Sequence, residues 1–300
     1  MTLRLPAAAG LAASVLFGQA CVGVNFDHEG HIEREQKRFE VGAAPEVALY
    51  TFDGSVEVRS WDRNEVLVEV EKRGQDAEAV GKIQVLSEQS GNRLQVEARR
   101  PGGGSTFVGV GVFRSPSARM TASVPRGAHV VVRTGDGAIV AERLDGRLEL
   151  RTRDGSIRTL ETTGDILAES GDGGISIEEA SGRVEARTDD GSVRVSGTPG
   201  SVRVRSGDGT VVLRIRQGAV MTEDWMVATA DGSISVELPD GFNARIEAAP
   251  GSGSRVRNDL TLANVEGGTR EVRRLRGTLG SGGHLLSLRT SDGTIRLFRY

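Results

Sequence analysis

The stretch Thr134-Gly135-Asp136-Gly137-Ala138-Ile139-Val140-Ala141 returns as Thr152-Arg153-Asp154-Gly155-Ser156-Ile157-Arg158-Thr159, and again starting at Ser170, Thr188 and Ser206. Between these copies stand further turn pairs, Asp145-Gly146, Thr163-Gly164, Ser181-Gly182 and Pro199-Gly200, so a turn signal falls every nine residues. Copies with Ser or Thr two residues before the Asp alternate with units carrying Arg143, Glu161, Glu179 and Gly197 at that place, so the full period is eighteen. A fixed period decides an architecture before any single element is assigned.

Laid out at eighteen, the aliphatic residues form four columns. The first two are Val130, Leu148, Ile166, Val184, Val202 and Val132, Leu150, Ala168, Ala186, Val204. The other two are Ile139, Ile157, Ile175, Val193, Val211 and Ala141, Thr159, Ile177, Val195, Leu213. Within each unit the inward residues are two apart with mostly polar residues between, the spacing of a strand with one buried face. The expected fold is therefore all-β: a parallel β-solenoid of about eighteen residues per coil, with less regular β caps at both ends. Such stacks are stabilised collectively and need covered ends. The sequence itself does not fix the hand of the winding, which is taken as right-handed from the general rule for parallel crossovers.

Charge is balanced, 38 basic against 41 acidic residues, which argues against nucleic acid as a partner. Aromatic residues are only 4%, which weakens recognition of sugars by ring stacking. Glycine is abundant, 41 of 300, as a turn every nine residues demands.

Residues 1–20 read as an export signal, with Arg4 ahead of an apolar run to Phe17 and a small-x-small site at Gly18-Gln19-Ala20. The run is too short to remain as a membrane span. Cys21, the single cysteine, follows directly and stands where bacterial lipoproteins carry a lipidated thiol. Gly18 and Gln19 depart from that motif, and cleavage that leaves Cys21 unmodified is the rival reading. In such lipoproteins an Asp after the cysteine often marks inner-membrane retention; Val22 points instead to the outer membrane or cell surface, with a periplasmic location as the alternative. Residues 21–38 read as anchor and tether, and 39–300 as one solenoid domain. His28 and His31 have no third ligand nearby and His129 and His284 are isolated, so no metal or cofactor is expected from the histidines.

Outside the regular stack the motif recurs at Thr51-Phe52-Asp53-Gly54, Thr229-Ala230-Asp231-Gly232 and Thr290-Ser291-Asp292-Gly293. The runs 66–70 and 83–96 read as longer strands closing the N-terminal end, 107–113 as a strand packed on that cap, and the last copy as a strand pairing near the end of the stack.

Gly54-Ser55-Val56-Glu57-Val58 through Trp61-Asp62, the Thr-x-Asp-Gly-Ser-Ile units, Leu238-Pro239-Asp240-Gly241-Phe242-Asn243-Ala244-Arg245-Ile246 and the closing Leu286-Ser287-Leu288-Arg289-Thr290 occur in an order that resembles the DUF4097, or Toastrack, family of bacterial envelope proteins. The likeness spans about residues 40–300. It implies a β-helical, non-enzymatic envelope domain linked to adhesion or to envelope-stress systems, and supplies no catalytic residues.

The turn aspartates Asp53, Asp136, Asp154, Asp172, Asp190, Asp208, Asp231 and Asp292 carry three readings. In the first, each accepts amides of its own turn while the following glycine supplies a positive φ. In the second, stacked Asp154, Asp172, Asp190 and Asp208 bind calcium, although calcium-binding nonapeptide repeats place the Asp two residues after a glycine, not before one. In the third, pairs of carboxylates act on a polysaccharide as in β-helix lyases and hydrolases. Catalytic groups interrupt a repeat, however, and these aspartates constitute it. The expected function is adhesin-like binding or scaffolding of a protein or glycan surface, with a membrane contact through Cys21. Envelope-stress sensing is the alternative of the same class, and the glycan enzyme the alternative of another.

Overall fold

In the computed structural model the described residues are 23–27, 30–101, 115–251, 254–266 and 271–299. Residues 1–20, read above as an export signal, together with Cys21, His28 and the 107–113 segment, lie outside them.

The strands stack into two ladders. In the first, Glu46–Thr51, His129–Thr134, Leu148–Thr152, Thr163–Ser170, the second half of Ile175–Thr188, the second half of Val193–Ser206 and Trp225–Thr229 pair in parallel, in that order. In the second, Val56–Trp61, Ile139–Glu142, Ile157–Leu160, the starts of Ile175–Thr188 and Val193–Ser206, Val211–Ile215 and Ile234–Leu238 do the same. Val130, Leu148, Ile166, Val184 and Val202 are Cα partners in succession, as are Ile139, Ile157, Ile175, Val193 and Val211. All ten are buried at 2% exposure or less, so the aliphatic columns form the core between the ladders. Each layer thus covers the apolar face of its neighbours, as repeat stacking requires.

At both ends the order in space departs from the order in sequence. Arg93–Arg99 and Ser117–Pro125 lie outside Glu46–Thr51 and Val56–Trp61, so the first copy of the motif sits one layer in from the N-terminal end. Leu285–Thr290 inserts between Trp225–Thr229 and Ala244–Pro250, and Ile295–Arg299 between Ile234–Leu238 and Val256–Asn258. The closing copy is thus also one layer in, rather than the outermost strand. Both terminal copies are hydrogen-bonded on two sides, the most secure place for a chain end.

The caps are antiparallel. Gly30–Glu40 pairs along its whole length with Glu65–Gly74, which pairs in turn with Ser117–Pro125. Regular strand therefore begins at Gly30, not Phe39, and residues 30–38 are not a tether; Gly23–Asp27 folds back on this strand as a hairpin. The 83–96 run divides at Gly91 into the hairpin Gln84–Ser90 and Arg93–Arg99. A short helix, Ala77–Gly81, is capped by Asp76, whose carboxylate accepts the Ala79 amide at 2.8 Å. On the inner side of the N-terminal cap Lys72, 8% exposed, lies 3.3 Å from Glu33 and 3.5 Å from Glu35, and the Lys37 ammonium donates to the Val85 carbonyl. Charges at the edge layer discourage addition of a further strand.

The C-terminal clamp is held by an exposed polar contact. Asp224 accepts the Leu285 amide at 2.8 Å and lies 3.4 Å from His284 Nδ1. The Leu285 amide first, then His284, holds the Asp224 carboxyl below the ordinary aspartate range. A depressed folded-state pKa means that the contact stabilises the clamp above the ordinary aspartate pKa and is lost as pH falls through the folded value. Protection of the Leu285 and Leu286 amides, taken relative to the intrinsic exchange rate at each pH, should therefore fall on acidification before protection in the 148–204 strands does. Asp224→Asn should show accelerated exchange already at neutral pH.

Two buried hydroxyls, Thr159 at 0% and Thr162 at 1% exposure, have no hydrogen-bond partner among the described residues. Thr159 occupies the inward column between Ala141 and Ile177. A buried polar group without a partner costs free energy, and valine has the same shape and suits a strand. Thr159→Val should stabilise the protein by about 1 kcal/mol in denaturant unfolding.

Candidate functional site

The corner at which the first ladder passes into the second is built from the repeat's Ser/Thr, Asp and Gly, and each has a separate task. The hydroxyl two residues before the Asp is buried and bridges layers. Thr188 Oγ1 accepts the Gly191 amide at 3.1 Å and lies 2.9 and 3.0 Å from the Gly171 and Gly173 carbonyls of the preceding layer. Thr152 does the same with Gly155, Gly135 and Gly137. Ser170 and Ser206 accept the Gly173 and Gly209 amides and donate to the Gly155 and Gly191 carbonyls.

The glycine is required by close approach. A Cβ at Gly155, Gly173, Gly191, Gly209 or Gly232 would fall well under 3.0 Å from the carbonyl oxygen of the equivalent glycine one layer below. Of the glycines that follow the eight turn aspartates, only Gly54 and Gly293 have φ between +20° and +160°, so a positive φ is not the repeat's general reason for glycine. At the opposite corner Arg143, Glu161 and Glu179 adopt φ of 56°, 52° and 53°, followed in the same column by Gly197 at 132°.

The aspartates point outward. Asp136, Asp154, Asp172, Asp190, Asp208, Asp231 and Asp292 are exposed, and among the described residues none of their carboxylates accepts an amide of its own turn. At Asp154, Asp172, Asp190 and Asp208 the buried hydroxyl takes the glycine amide that the capping reading assigned to the carboxylate, whereas at Asp53 the Gly54 amide is hydrogen-bonded to the carboxylate as that reading expects. Asp53 is half-buried; burial, then the neighbouring Asp136 charge, push its pKa up against the opposing pull of the Gly54 amide and Arg153. Arg153 bridges two layers, 2.5 Å from Asp136 and 3.5 Å from Asp154. Among the described residues no three His, Cys, Asp or Glu side chains converge as a metal site would need. His129 is half-buried with its Nε2 unpartnered, and His284 faces Asp224.

Beside the corners, the outward residues of the first ladder carry Arg133, which lies over the Tyr50 ring at 5.6 Å, and Arg151, 2.5 Å from Glu169. Arg187 and Arg205 continue that column.

The outer face of the second ladder is concave. A groove of about 720 Å³ crosses the strands from Leu160 through Ser176, Arg194 and Val212 to Glu237. Its rim is formed by ion pairs. Glu178 accepts from Arg158 and Ser176, Arg214 lies 3.4 Å from Glu237, and Arg216 pairs with Glu179 across the layer of Gly197, whose carbonyl accepts the Arg216 amide. Gly197 has no side chain to fill the space beneath that bridge. Arg194 lines the groove, is exposed, and has no ion-pair or hydrogen-bond partner among the described residues. The sequence reading missed this groove. Its one signal was Gly197, which breaks a column otherwise occupied by long charged side chains.

The family model of Toastrack DUF4097 matches residues 44–297. No curated protein matches the sequence. Among solved structures, one described as a putative lipid binding protein from Parabacteroides distasonis has a TM-score of 0.46 at 13% identity, covering 88% of this chain and 96% of that one. A putative adhesin from Parabacteroides merdae has a TM-score of 0.46 at 8% identity, covering 88% and 95%. A putative adhesin from Bacteroides fragilis has a TM-score of 0.38 at 11% identity, covering 88% and 96%.

Proposed function

The chain belongs to the Toastrack DUF4097 family, and from that membership we propose that it is a non-enzymatic, adhesin-like binding or scaffolding protein of the cell envelope, built as a β-solenoid with about eighteen residues per regular coil. The observation that carries this reading is the placement of polar side chains. Those of the repeat are spread one layer at a time along the corners and outer faces, and every layer below serves to hold the next. A surface of this kind offers many modest contacts to an extended partner. Partners eighteen residues apart, such as Leu148 with Ile166 and Ile157 with Ile175, support that coil size.

The same proposal places residues 1–20 as an export signal and Cys21 as a lipid anchor at the outer membrane or cell surface. The hairpin strand Gly23–Asp27 begins two residues after Cys21, so an anchored domain stands directly on the membrane by its N-terminal cap. One acyl group set alone anchors only marginally, and the close-standing cap supplies further contact. Cys21→Ser should move the protein from the membrane fraction to the soluble fraction of lysed cells; unchanged partition would remove the anchor from the account.

Protease treatment of intact cells tests the surface reading, with the glycine-rich stretches 102–104 and 251–253 as the points to follow. Cleavage on whole cells, with internal proteins intact, is the expected result. Protection until the outer barrier is breached would contradict it and put the protein in the periplasm, where sensing of envelope stress is the better description. Depolymerisation of an acidic polysaccharide by the purified protein would contradict the non-enzymatic reading.

A further inference from the structure

The groove on the second ladder has a specific charge arrangement. Its three lining carboxylates, Glu178, Glu179 and Glu237, are each paired, with Arg158, Arg216 and Arg214 respectively. Arg194 is the one lining charge left over among the described residues, and it is exposed on the middle strand of the five that the groove crosses. Its neighbours across the ladder are short: Ser176 on one side, Val212 on the other, with Ser196 two residues along the same strand. The guanidinium is therefore uncovered, while the fixed ion pairs on the rim keep Arg158, Arg214 and Arg216 from competing for the same ligand.

We propose that this groove binds an extended acidic saccharide, a chain of uronic acids, with one carboxylate seated on Arg194. The inference rests on the surface-binding reading above and names the ligand class for it. Shape comes first: five neighbouring strands, from Ile157–Leu160 to Ile234–Leu238, span ~19 Å at the usual strand spacing. A bound chain running along the stack advances by roughly one strand spacing per sugar ring. Chemistry comes second. Planar guanidinium suits bidentate carboxylate, the Ser196 hydroxyl has no hydrogen bond within the described residues, and Leu160 and Val212 offer small half-buried apolar surfaces to the C–H faces of rings. A peptide is the poorer fit, because peptide recognition on a sheet uses a free strand edge or side-chain pockets. Here the strands are paired on both sides. Recognition by charge and hydroxyls also agrees with a sequence of only 4% aromatic residues.

Calorimetry with the purified exported domain and hexagalacturonate, against maltohexaose as a neutral chain of equal length, tests this. Hexagalacturonate should bind, more weakly as salt is raised, and maltohexaose should bind at least tenfold more weakly or not at all. Arg194→Ala should weaken hexagalacturonate about tenfold, the loss of one charge-assisted contact, and Arg194→Lys should retain part of the affinity. Ser196→Trp, which fills the groove beside Arg194, should abolish binding, and Arg289→Ala on the other ladder should leave it unchanged. Equal affinity for maltohexaose, equal affinity for hexaglutamate, full binding by Arg194→Ala, or no binding of hexagalacturonate would each overturn the proposal. Failure here leaves the surface reading standing, because that reading is decided on intact cells and not by this ligand.

Discussion

Gly173→Ala is expected to unfold the protein or lower its stability by on the order of 4 kcal/mol, whereas Asp172→Asn, one residue earlier in the same turn, changes it by less than about 0.5 kcal/mol. The asymmetry follows from where the two residues face. An alanine Cβ at position 173 would meet the Gly155 carbonyl carbon and oxygen well inside 3.0 Å. The obstructing atoms are backbone, held by ladder hydrogen bonds on either side, so no side chain can swing away. Relief requires the two layers to part, which loosens Ile175 and Ile177 against Ile157 and Thr159 as well. Overpacking of this sort exceeds the usual cost of an added methyl because the strain is shared by a whole layer. Asp172 is exposed and makes no hydrogen bond to its turn, so removal of its charge only relieves repulsion from its stacked neighbours. Denaturant unfolding of the two variants side by side measures the difference. Equal loss at both positions would mean that the carboxylate holds the turn after all.

Thr188→Val should cost about 3 kcal/mol, and Thr188→Ser far less. Valine preserves the shape and the strand preference, so the loss isolates the hydroxyl. Thr188 is 2% exposed, and its Oγ1 accepts the Gly191 amide while facing the Gly171 and Gly173 carbonyls. Valine leaves a buried amide and the carbonyls facing that position short of a partner, and water cannot reach them without opening the corner. Serine occurs at the same place in Ser170 and Ser206 with the same bonds, so the position accepts either hydroxyl. Equilibrium unfolding, with amide exchange at Gly191 as the local readout, tests the pair. A Thr188→Val protein as stable as the parent would show that the hydroxyl bonds contribute nothing.

The regular middle of the stack was legible because its signal is local and repeated. The columns Val130 to Val202 and Ile139 to Val211 are Cα partners in the order read from the sequence. The alternation of Thr/Ser units with Arg143, Glu161, Glu179 and Gly197 also reflects two unlike corners, one closed by a hydroxyl and one by a left-handed residue. The chemistry inside the corner was less legible. Asp-Gly is the strongest short turn signal in any sequence, and it drew attention to the Asp carboxylate and to glycine's φ. The actual constraint on glycine is the carbonyl of the layer below, a contact between residues eighteen apart that no local rule contains.

The ends were hidden for a related reason. Placing Leu285–Thr290 between Trp225–Thr229 and Ala244–Pro250 depends on pairing across a long excursion, and the motif in the two candidate partners is equally compatible with either order. Gly30–Glu40 looked like a tether because its inward positions include Glu33 and Glu35, which pair with Lys72, and Lys37, which pairs with Glu35. A strand that buries ion pairs carries no apolar alternation to betray it. The Arg194 groove likewise depends on short residues from neighbouring strands meeting in space.

We propose that the repeat is a scaffold in which Asp136, Asp154, Asp172, Asp190 and Asp208 hold no turn, no metal and no reaction. The most direct measurement is thermal unfolding of a protein carrying Asn at positions 136, 154, 172, 190 and 208 together, with and without millimolar calcium. The predicted result is a cooperative transition within a few degrees of the parent protein, and no calcium effect on either. A collapse of the fold in the five-fold variant, or a calcium-dependent rise in the parent that the variant lacks, would contradict it.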